Sequence, residues 1–398
     1  MMSLAIHPAD LQHAASSLGR YFVWVMLLCS TGFYAAASLS ALRFAGRRKT
    51  CRASQFLPRV SVLKPVHGVD FGSEENFKSF CTQNYPNYEI LFAVSDGSDA
   101  ALPLIKLLID ACPGCEIRIV TGAPFFGENR KVNNLIKMIR EAKHEILVIT
   151  DGDVRVGPDY LRSVVAPFEK SETGAVTSLY RGITQPGLFA EMEALGAATD
   201  FAAGVLVAER TEGLNFALGA SIVTTKSWIK RIGGMEPIAR LLADDYELGH
   251  RIAQAGGEVI LSNEVVSTMY PAQSWRGFWD HQLRWARTVR LCRPLSYLGL
   301  IFTHGLPWAI LATLFANTWV AAAAGLFLYL TFRLAAAFLV GGLVLQDETV
   351  RRRWWLIPVR DALHFIVWFA SFTSNRVTWG DAEFTMKKGE MISLRNSQ

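Results

Sequence analysis

The sequence predicts an α/β domain joined to membrane-spanning helices, and three observations lead to this class. Hydrophobic residues make up 51% of the 398 residues, which leaves apolar residues to spare after one soluble domain has been built. Long apolar runs lie towards both ends of the chain. Between them, short β-branched runs alternate with helical stretches, the pattern of a mostly parallel sheet covered on both faces.

The first apolar run covers residues 21–42 and contains no charged residue. About 20 apolar residues span a bilayer as a helix, so we predict a transmembrane helix here, after an N-terminal tail at 1–20. Basic residues follow it in a linker at 43–57: Arg43, Arg47, Arg48, Lys49 and Arg52. A signal peptide carries such charges before its apolar run. The positive-inside rule places the residues after this helix in the cytoplasm.

The α/β domain is predicted at residues 58–292. Four segments have the pattern of buried strands: VSVLKPV, YEILFAVSD, CEIRIVTG and HEILVITDGD. Ligands of such sheets bind beyond the carboxyl ends of the strands. Asp96 ends one of these strands, and Asp151 and Asp153 end another, so the acids lie where a ligand is expected.

A C-terminal membrane region is predicted at 293–375, followed by a tail at 376–398. The apolar run from Ile301 to Leu345 is long enough for two spans. The stretch from Trp354 to Phe372 contains charges, and it fits either a third span or a helix at the interface. Basic residues lie on both sides of this stretch, so the sequence leaves the side of the C-terminus open.

Charge and cysteine content exclude several classes of protein. The net charge is only +5 and is spread along the chain, so nucleic acid is not expected as a partner. Six cysteines in a chain of this length do not indicate a disulfide framework. We interpret the Cys112-Pro-Gly-Cys115 segment as a turn, since no second cysteine pair follows to complete a zinc site.

Two groups of acids follow predicted strands. Asp151 and Asp153 can share a hard divalent cation that bridges to substrate phosphates, although Asp and Gly are also ordinary turn residues. Asp96 can bind a nucleotide base or ribose, or can be part of a turn. Lys131 lies in the segment GENRKVNN, which opens a helix; such a helix start either binds an anionic ligand or is simply capped.

Two later helices carry further candidates. Asp244 and Asp245 open one of them; one acid can cap the helix while the other accepts a proton from a hydroxyl group. The second helix, from Trp275 to Arg290, places arginines among tryptophans directly before the membrane. It fits an interfacial anchor, and it equally fits a clamp on a diphosphate, whose geometry guanidinium groups match.

In order, these segments resemble the D, DxD, (E/D)D, (Q/R)xxRW series of inverting glycosyltransferases with the GT-A fold, a nucleotide-diphospho-sugar transferase domain. More narrowly, the chain resembles ceramide glucosyltransferases and the related hopanoid-biosynthesis glycosyltransferases of bacteria. The segments that carry the resemblance are VSVLKPVHG, QNYPNYEILFAVSD, GENRKVNNL, TDGDVRV, LADDYELG and HQLRWAR, between about residues 58 and 290.

The resemblance implies a role for each matching residue. Asp96, with Lys131 and Asp151, would bind the nucleotide sugar; Asp151 and Asp153 would hold Mg²⁺ or Mn²⁺; and Asp245 would be the catalytic base. Arg284 and Trp285 would lie near the diphosphate and the acceptor. His281 stands where the family pattern has Gln or Arg.

The expected reaction is transfer of a hexose from a UDP-sugar to the hydroxyl of a ceramide-like lipid by a multi-pass membrane enzyme. Glucose is the hexose that we expect. An alternative is an N-acetylglucosaminyl transferase acting on a hopanoid lipid. A transporter or membrane scaffold is a further alternative, because Arg333 lies inside an apolar run and intramembrane charge often marks function.

Overall fold

The computed structural model describes residues 8–50, 54–94, 96–122, 124–379, 382–387 and 389–393. Fifteen α-helices lie in these ranges: α1 Pro8–Thr50, α2 Ser73–Cys81, α3 Ala101–Ala111, α4 Arg130–Glu141, α5 Tyr160–Val165, α6 Leu188–Gly196, α7 Ala202–Thr211, α8 Lys226–Arg231, α9 Asp244–Gln254, α10 Trp275–Cys292, α11 Pro294–Gly299, α12 Gly305–Leu314, α13 Trp319–Ala337, α14 Glu348–Arg353 and α15 Ile357–Ser371. A π-helical segment, Ala197–Phe201, joins α6 to α7.

Eight strands form the main sheet in the order β3-β2-β1-β4-β7-β6-β8-β5. Their bounds are β1 Val60–Pro65, β2 Tyr88–Val94, β3 Glu116–Thr121, β4 Ile146–Thr150, β5 Val154–Arg155, β6 Thr173–Thr184, β7 Ser221–Thr225 and β8 Glu258–Tyr270. Strands β1 to β4 are parallel to their neighbours within this group, whereas β7 is antiparallel to β4 and to β6. The four predicted strands are therefore confirmed as β1 to β4, and they form the parallel half of a mixed sheet.

Side chains of the central strands alternate between two hydrophobic cores. Val62 and Val148 point to the core shared with α2, α3 and α5, whereas Leu63 and Leu147 point to the opposite core. That second core also contains residues of α1, α7, α12 and α13. Burial on both faces explains why these strands are almost continuously hydrophobic in sequence. The second core also joins the sheet to the apolar helices α1, α12 and α13.

Within the described part of the chain, three helical segments are long and apolar enough to cross a membrane: Ser17–Arg47, Pro294–Leu314 and Trp319–Val344. They correspond to the predicted N-terminal span and the two predicted C-terminal spans. Helix α1 continues to Thr50, past residue 42, and the side chain of Phe44 is buried in the core. Its 43 residues have a length of about 65 Å, roughly twice the hydrocarbon thickness of a bilayer.

The stretch after residue 354 is not among the three candidate spans. Helix α15 has 15 residues, and its charged residues Arg360 and Asp361 are buried within the protein. Asp361 forms an ion pair with Arg333 of α13 at 2.7 Å, and Arg333 also contacts Asp200 at 2.5 Å. Arg333 is fully buried and paired. Its position inside an apolar run is thus explained by helix packing, which removes the observation that favoured a transporter.

The predicted C-terminal tail contains a second sheet of three antiparallel strands, β9 Arg376–Trp379, β10 Ala382–Lys387 and β11 Glu390–Ser393. It packs against α10, and its buried side chains enclose Leu242, two residues before α9. Glu390 pairs with Leu241 in an isolated β-bridge, and the Met391 N–H donates to the Arg240 carbonyl at 2.9 Å. The C-terminal sheet therefore holds the segment that leads into α9.

Candidate active site

The carboxyl ends of β1, β2 and β4 meet at one edge of the sheet, because these three strands are neighbouring and parallel. Asp96 follows β2, and Asp151 and Asp153 follow β4. Asp96 is exposed, and one of its carboxylate oxygens accepts hydrogen bonds from the Ser98 N–H and hydroxyl, which lower its pKa. Asp96 thus lies in a turn at the carboxyl-end edge of the strands, where a ligand is expected.

Asp151 and Asp153 occupy a tight turn between β4 and the short strand β5. Burial, together with the neighbouring charge of Asp151, raises the pKa of Asp153 to about 7. Two carboxylates that repel each other in this way form a favourable environment for a cation. The spacing and the electrostatics of this pair therefore fit a bound divalent ion.

Lys131, in the first turn of α4, connects the two groups of acids. Its Nζ lies 2.7 Å from Asp151 Oδ1 and 3.2 Å from Asp244 Oδ2. Burial lowers its pKa, but the charges of Asp151 and Asp244 outweigh burial and hold the pKa above its ordinary value. Asn129 caps α4 and donates to Asp244 Oδ1 at 3.2 Å. Asp244 is thus held by two side chains of α4.

Asp245 follows Asp244 in the first turn of α9, and two backbone N–H groups fix its carboxylate. Gly219 donates to Oδ2 at 2.9 Å and Tyr246 donates to Oδ1 at 2.8 Å. Burial and the charge of Asp244 raise the pKa of Asp245 to about 6. A Cβ atom at Gly219 would lie 3.0 Å from Asp245 Oδ2 and 3.5 Å from Asp151 Oδ2. Both carboxylates therefore face the same glycine, which leaves the space between them open.

Helix α10 contributes the last group of residues. His281 Nδ1 is paired with the carboxylate of Glu193 on α6, which is buried. Arg284 is half-buried, and burial lowers its pKa; its guanidinium has no ion-pair or hydrogen-bond partner among the described residues. The Trp285 ring packs against His281 at 5.3 Å and Phe201 at 6.1 Å between ring centroids. An unpaired guanidinium in such a position can bind an anion.

Two residues of this region were missed by the sequence analysis. Lys64 of β1 is fully buried beneath the acid turn, where its Nζ donates to the Asp151 carbonyl at 2.8 Å and lies 4.1 Å from the centre of the Phe80 ring. Burial lowers its pKa to about 7. A lysine inside the apolar run VSVLKPV was a signal for it, because lysines are almost never fully buried without a partner. No pattern in the sequence indicated Glu193, since its partner His281 is distant in the chain.

Comparisons with known proteins bear on this arrangement. The family model described as glycosyl transferase family 21 matches residues 22–392. Ceramide glucosyltransferase 1 from Caenorhabditis elegans is 28% identical over 261 residues, which are 63% of this chain and 56% of that protein. The ceramide glucosyltransferase from Komagataella phaffii is 31% identical over 162 residues, 39% of this chain and 31% of that protein. The chain thus matches about half the length, or less, of these curated relatives.

Among solved structures, a mannosyltransferase from Pyrobaculum calidifontis in complex with GDP-Man and Mn²⁺ has the same fold, with a TM-score of 0.50 and 19% sequence identity. The alignment covers 86% of this chain and 97% of that one. This likeness confirms the predicted GT-A fold.

Proposed function

Since the chain belongs to glycosyl transferase family 21, we propose that it transfers a hexose from a UDP-sugar to the hydroxyl of a ceramide-like lipid, with inversion of configuration. Glucose is the hexose that we propose. The main support is the position of Asp245. Its carboxylate faces Asp151 across Gly219 at the ligand-binding edge of the sheet, and this is where a base and a diphosphate site must meet for sugar transfer.

In the proposed reaction, the acceptor hydroxyl oxygen attacks the anomeric carbon while the bond from that carbon to the diphosphate oxygen breaks. Asp245 accepts the hydroxyl proton as the new bond forms. Its raised pKa of about 6 makes it a stronger base than an ordinary aspartate, yet it stays mostly ionised at neutral pH. UDP leaves with the bonding electron pair, and attack from the opposite face inverts the configuration.

The departing diphosphate requires positive charge. Arg284 has no competing partner among the described residues, and its guanidinium geometry suits phosphate oxygens. Lys131 can exchange its contact with Asp151 for a phosphate oxygen, because Asp244 continues to hold its ammonium group. Groups that act where charge develops lower the barrier.

The Asp151–Asp153 pair would hold Mg²⁺ or Mn²⁺, because a cation would offset the burial and the repulsion from Asp151 that together raise the pKa of Asp153. Such an ion would neutralise charge on the diphosphate. The described residues include no group of three or more His, Cys, Asp or Glu side chains arranged to hold a metal. Phosphate oxygens and water would then complete the coordination, as is usual for Mg²⁺.

We further propose that the sheet domain lies in the cytoplasm. Arg43 and Arg47 follow the apolar part of α1, as the positive-inside rule expects of a cytoplasmic side. Cytosolic sugar nucleotides would then reach the turn of Asp151 and Asp153 directly. The acceptor lipid would approach from the cytoplasmic leaflet of the bilayer.

The proposal is tested with purified protein in phosphatidylcholine nanodiscs that contain ceramide. Radiolabelled UDP-glucose should give labelled glucosylceramide, and the Asp245→Asn variant should form it about 10²- to 10⁴-fold more slowly. Parallel reactions with UDP-N-acetylglucosamine and a hopanoid acceptor separate the alternative assignment. Absence of transfer from every UDP-sugar to every lipid would refute the proposed function.

A further inference from the structure

A cavity of about 260 Å³ lies where α7 meets the apolar helices α1 and α12. Phe33, Leu300 and Leu306 form apolar parts of its wall, and Asp200 and His304 contribute polar groups. A cavity of this volume holds a small polar head but not a whole lipid. Its walls come from both the sheet domain and the apolar helices, so a ligand here would lie at the boundary between the two.

The polar groups of this cavity have unused hydrogen-bonding capacity. His304 is 5% exposed, and its Nε2 has no hydrogen-bond partner among the described residues. Asp200 is paired with Arg333 through Oδ1, whereas its Oδ2 accepts no hydrogen bond within the same part of the chain and has only longer ion-pair contacts, to His364 Nδ1 at 3.6 Å and to Arg360 Nε at 3.8 Å. Buried polar atoms without partners are uncommon and require an explanation. A ligand that donates to Asp200 and bonds to His304 supplies one.

The backbone beside the cavity is also irregular. The apolar segment Pro294–Leu314 is interrupted at Thr303 and His304, between a 3₁₀ turn and α12. The Tyr34 hydroxyl donates to the Thr303 carbonyl at 3.0 Å, which satisfies one of the freed backbone groups. At membrane depth, non-helical backbone is tolerated where it is buried in protein or lines a cavity. The helix break at Thr303 and His304 therefore forms part of the cavity wall.

One contact connects the cavity to the C-terminal end of α10. Glu212, which lines it, is paired with Arg293 at 3.2 Å. The residue before Arg293 is Cys292, whose pKa is raised to about 12 by burial and by the charges of Glu247 and Asp245. One end of the cavity thus lies near Cys292, at the end of α10 that is close enough to Asp245 for its charge to act there.

A second contact also connects the cavity lining to α10. Phe201 directly follows Asp200, and its ring packs against the ring of Trp285, the residue after Arg284. A molecule that contacts Asp200 in the cavity would therefore lie one residue away from the aromatic contact with Trp285.

We propose that this cavity binds the polar head of the acceptor lipid, which must carry an N–H or O–H donor in addition to the reacting hydroxyl. Asp200 accepts this second donor, His304 bonds to a neighbouring head-group atom, and the chains leave past Phe33 and Leu306 into the bilayer. The inference rests on the proposed lipid acceptor. It adds a selectivity: ceramide, with an amide N–H and a second hydroxyl, should bind, whereas diacylglycerol, with one hydroxyl, should not.

The first experiment needs no variant and no catalysis. The full chain in phosphatidylcholine nanodiscs is irradiated with a ceramide that carries a diazirine close to its amide, and the labelled peptides are mapped. Labelling should fall on the parts of α1, α7 and α12 that line the cavity, and excess unlabelled ceramide should remove it while diacylglycerol does not. Labelling elsewhere, or equal competition by both lipids, would overturn the assignment.

The second experiment fills the cavity. Gly204 of α7 lines it, and a Cβ atom added there meets nothing within 4 Å. Gly204→Leu should therefore reduce specific labelling and raise the KM for ceramide by at least about tenfold, since buried head-group hydrogen bonds are lost. Gly32→Leu is the matched control, because Gly32 is an exposed helical glycine of α1 with equal room for a Cβ and no place in the cavity wall.

The two proposals fail in different ways. Transfer to ceramide with an unchanged KM in Gly204→Leu would overturn the cavity assignment and leave the proposed function intact. Specific labelling of the cavity by ceramide without any transfer would overturn the proposed function and leave the cavity assignment intact. UDP binding serves as the folding check, and if Gly204→Leu does not fold, the peptide map of the unsubstituted protein decides alone.

Discussion

Substitution of Asp245 by Asn separates proton transfer from binding. The amide keeps the shape of the carboxylate and one carbonyl oxygen, so one of the two backbone hydrogen bonds from Gly219 and Tyr246 is retained. The lost bond costs about 1 kcal/mol of folding free energy. The lost base costs about 10²- to 10⁴-fold in kcat, or about 3 to 5 kcal/mol of activation free energy. The chemical effect therefore exceeds the structural one by a measurable margin.

The assay is single-turnover transfer from UDP-glucose to ceramide, with the Kd for UDP measured in parallel by calorimetry. Asp245→Asn should lower the rate about 10²- to 10⁴-fold and change the Kd for UDP by less than about threefold. Asp244→Asn is the control, since Asp244 holds Lys131 and Asn129; it should lower the rate less and weaken UDP binding more. Near-normal turnover in Asp245→Asn, with turnover abolished in Asp244→Asn, would show that the base is the wrong acid of the pair.

Four further outcomes are expected. Because the pKa of Asp245 is raised to about 6, the base is protonated below that pH, so kcat/KM should be flat above it and fall about tenfold per pH unit below it; a profile that stays flat to pH 4 would contradict this. Asp153→Ala, or treatment with EDTA, should weaken donor binding, and Mg²⁺ or Mn²⁺ should restore the EDTA-treated enzyme; full activity after thorough chelation would remove the cation from the site. Termination after Asn375 removes the C-terminal sheet that holds the segment before α9, so kcat should fall by up to about 10²-fold, and an unchanged kcat in the shortened chain would show that the sheet has no positioning role. A protease site inserted near Lys170 should be cut in sealed inside-out vesicles, and its protection there would reverse the proposed orientation.

The strands and their terminal acids could be predicted because both depend on local patterns. A strand buried on both faces is continuously apolar, and Asp151 and Asp153 follow such a run directly. The helix starts at Asn129 and Asp244 carry similarly local signals, a capping side chain and first-turn acids.

The remaining features depend on residues far apart in the chain. Glu193 pairs with His281, and Arg333 pairs with Asp361, across separations that no local pattern encodes. The C-terminal sheet was missed because its short strands alternate buried and exposed residues, and their buried side chains form a core only together with Leu242 and Leu291 from distant parts of the chain. Lys64 was visible in the sequence, but its contact with the Asp151 carbonyl follows from the register between β1 and β4.

Helix α1 passes from the apolar segment to the side of the sheet domain without a break. The eight residues between 42 and Thr50 add about 12 Å of rigid rod, and Phe44 anchors that rod in the same core as Leu63 of β1. The height of the acid turn above the lipid surface is therefore set by helical rise and not by a flexible tether. For the lipid acceptor proposed above, this rigid support would select acceptors by the depth at which they present a hydroxyl as well as by their chemistry.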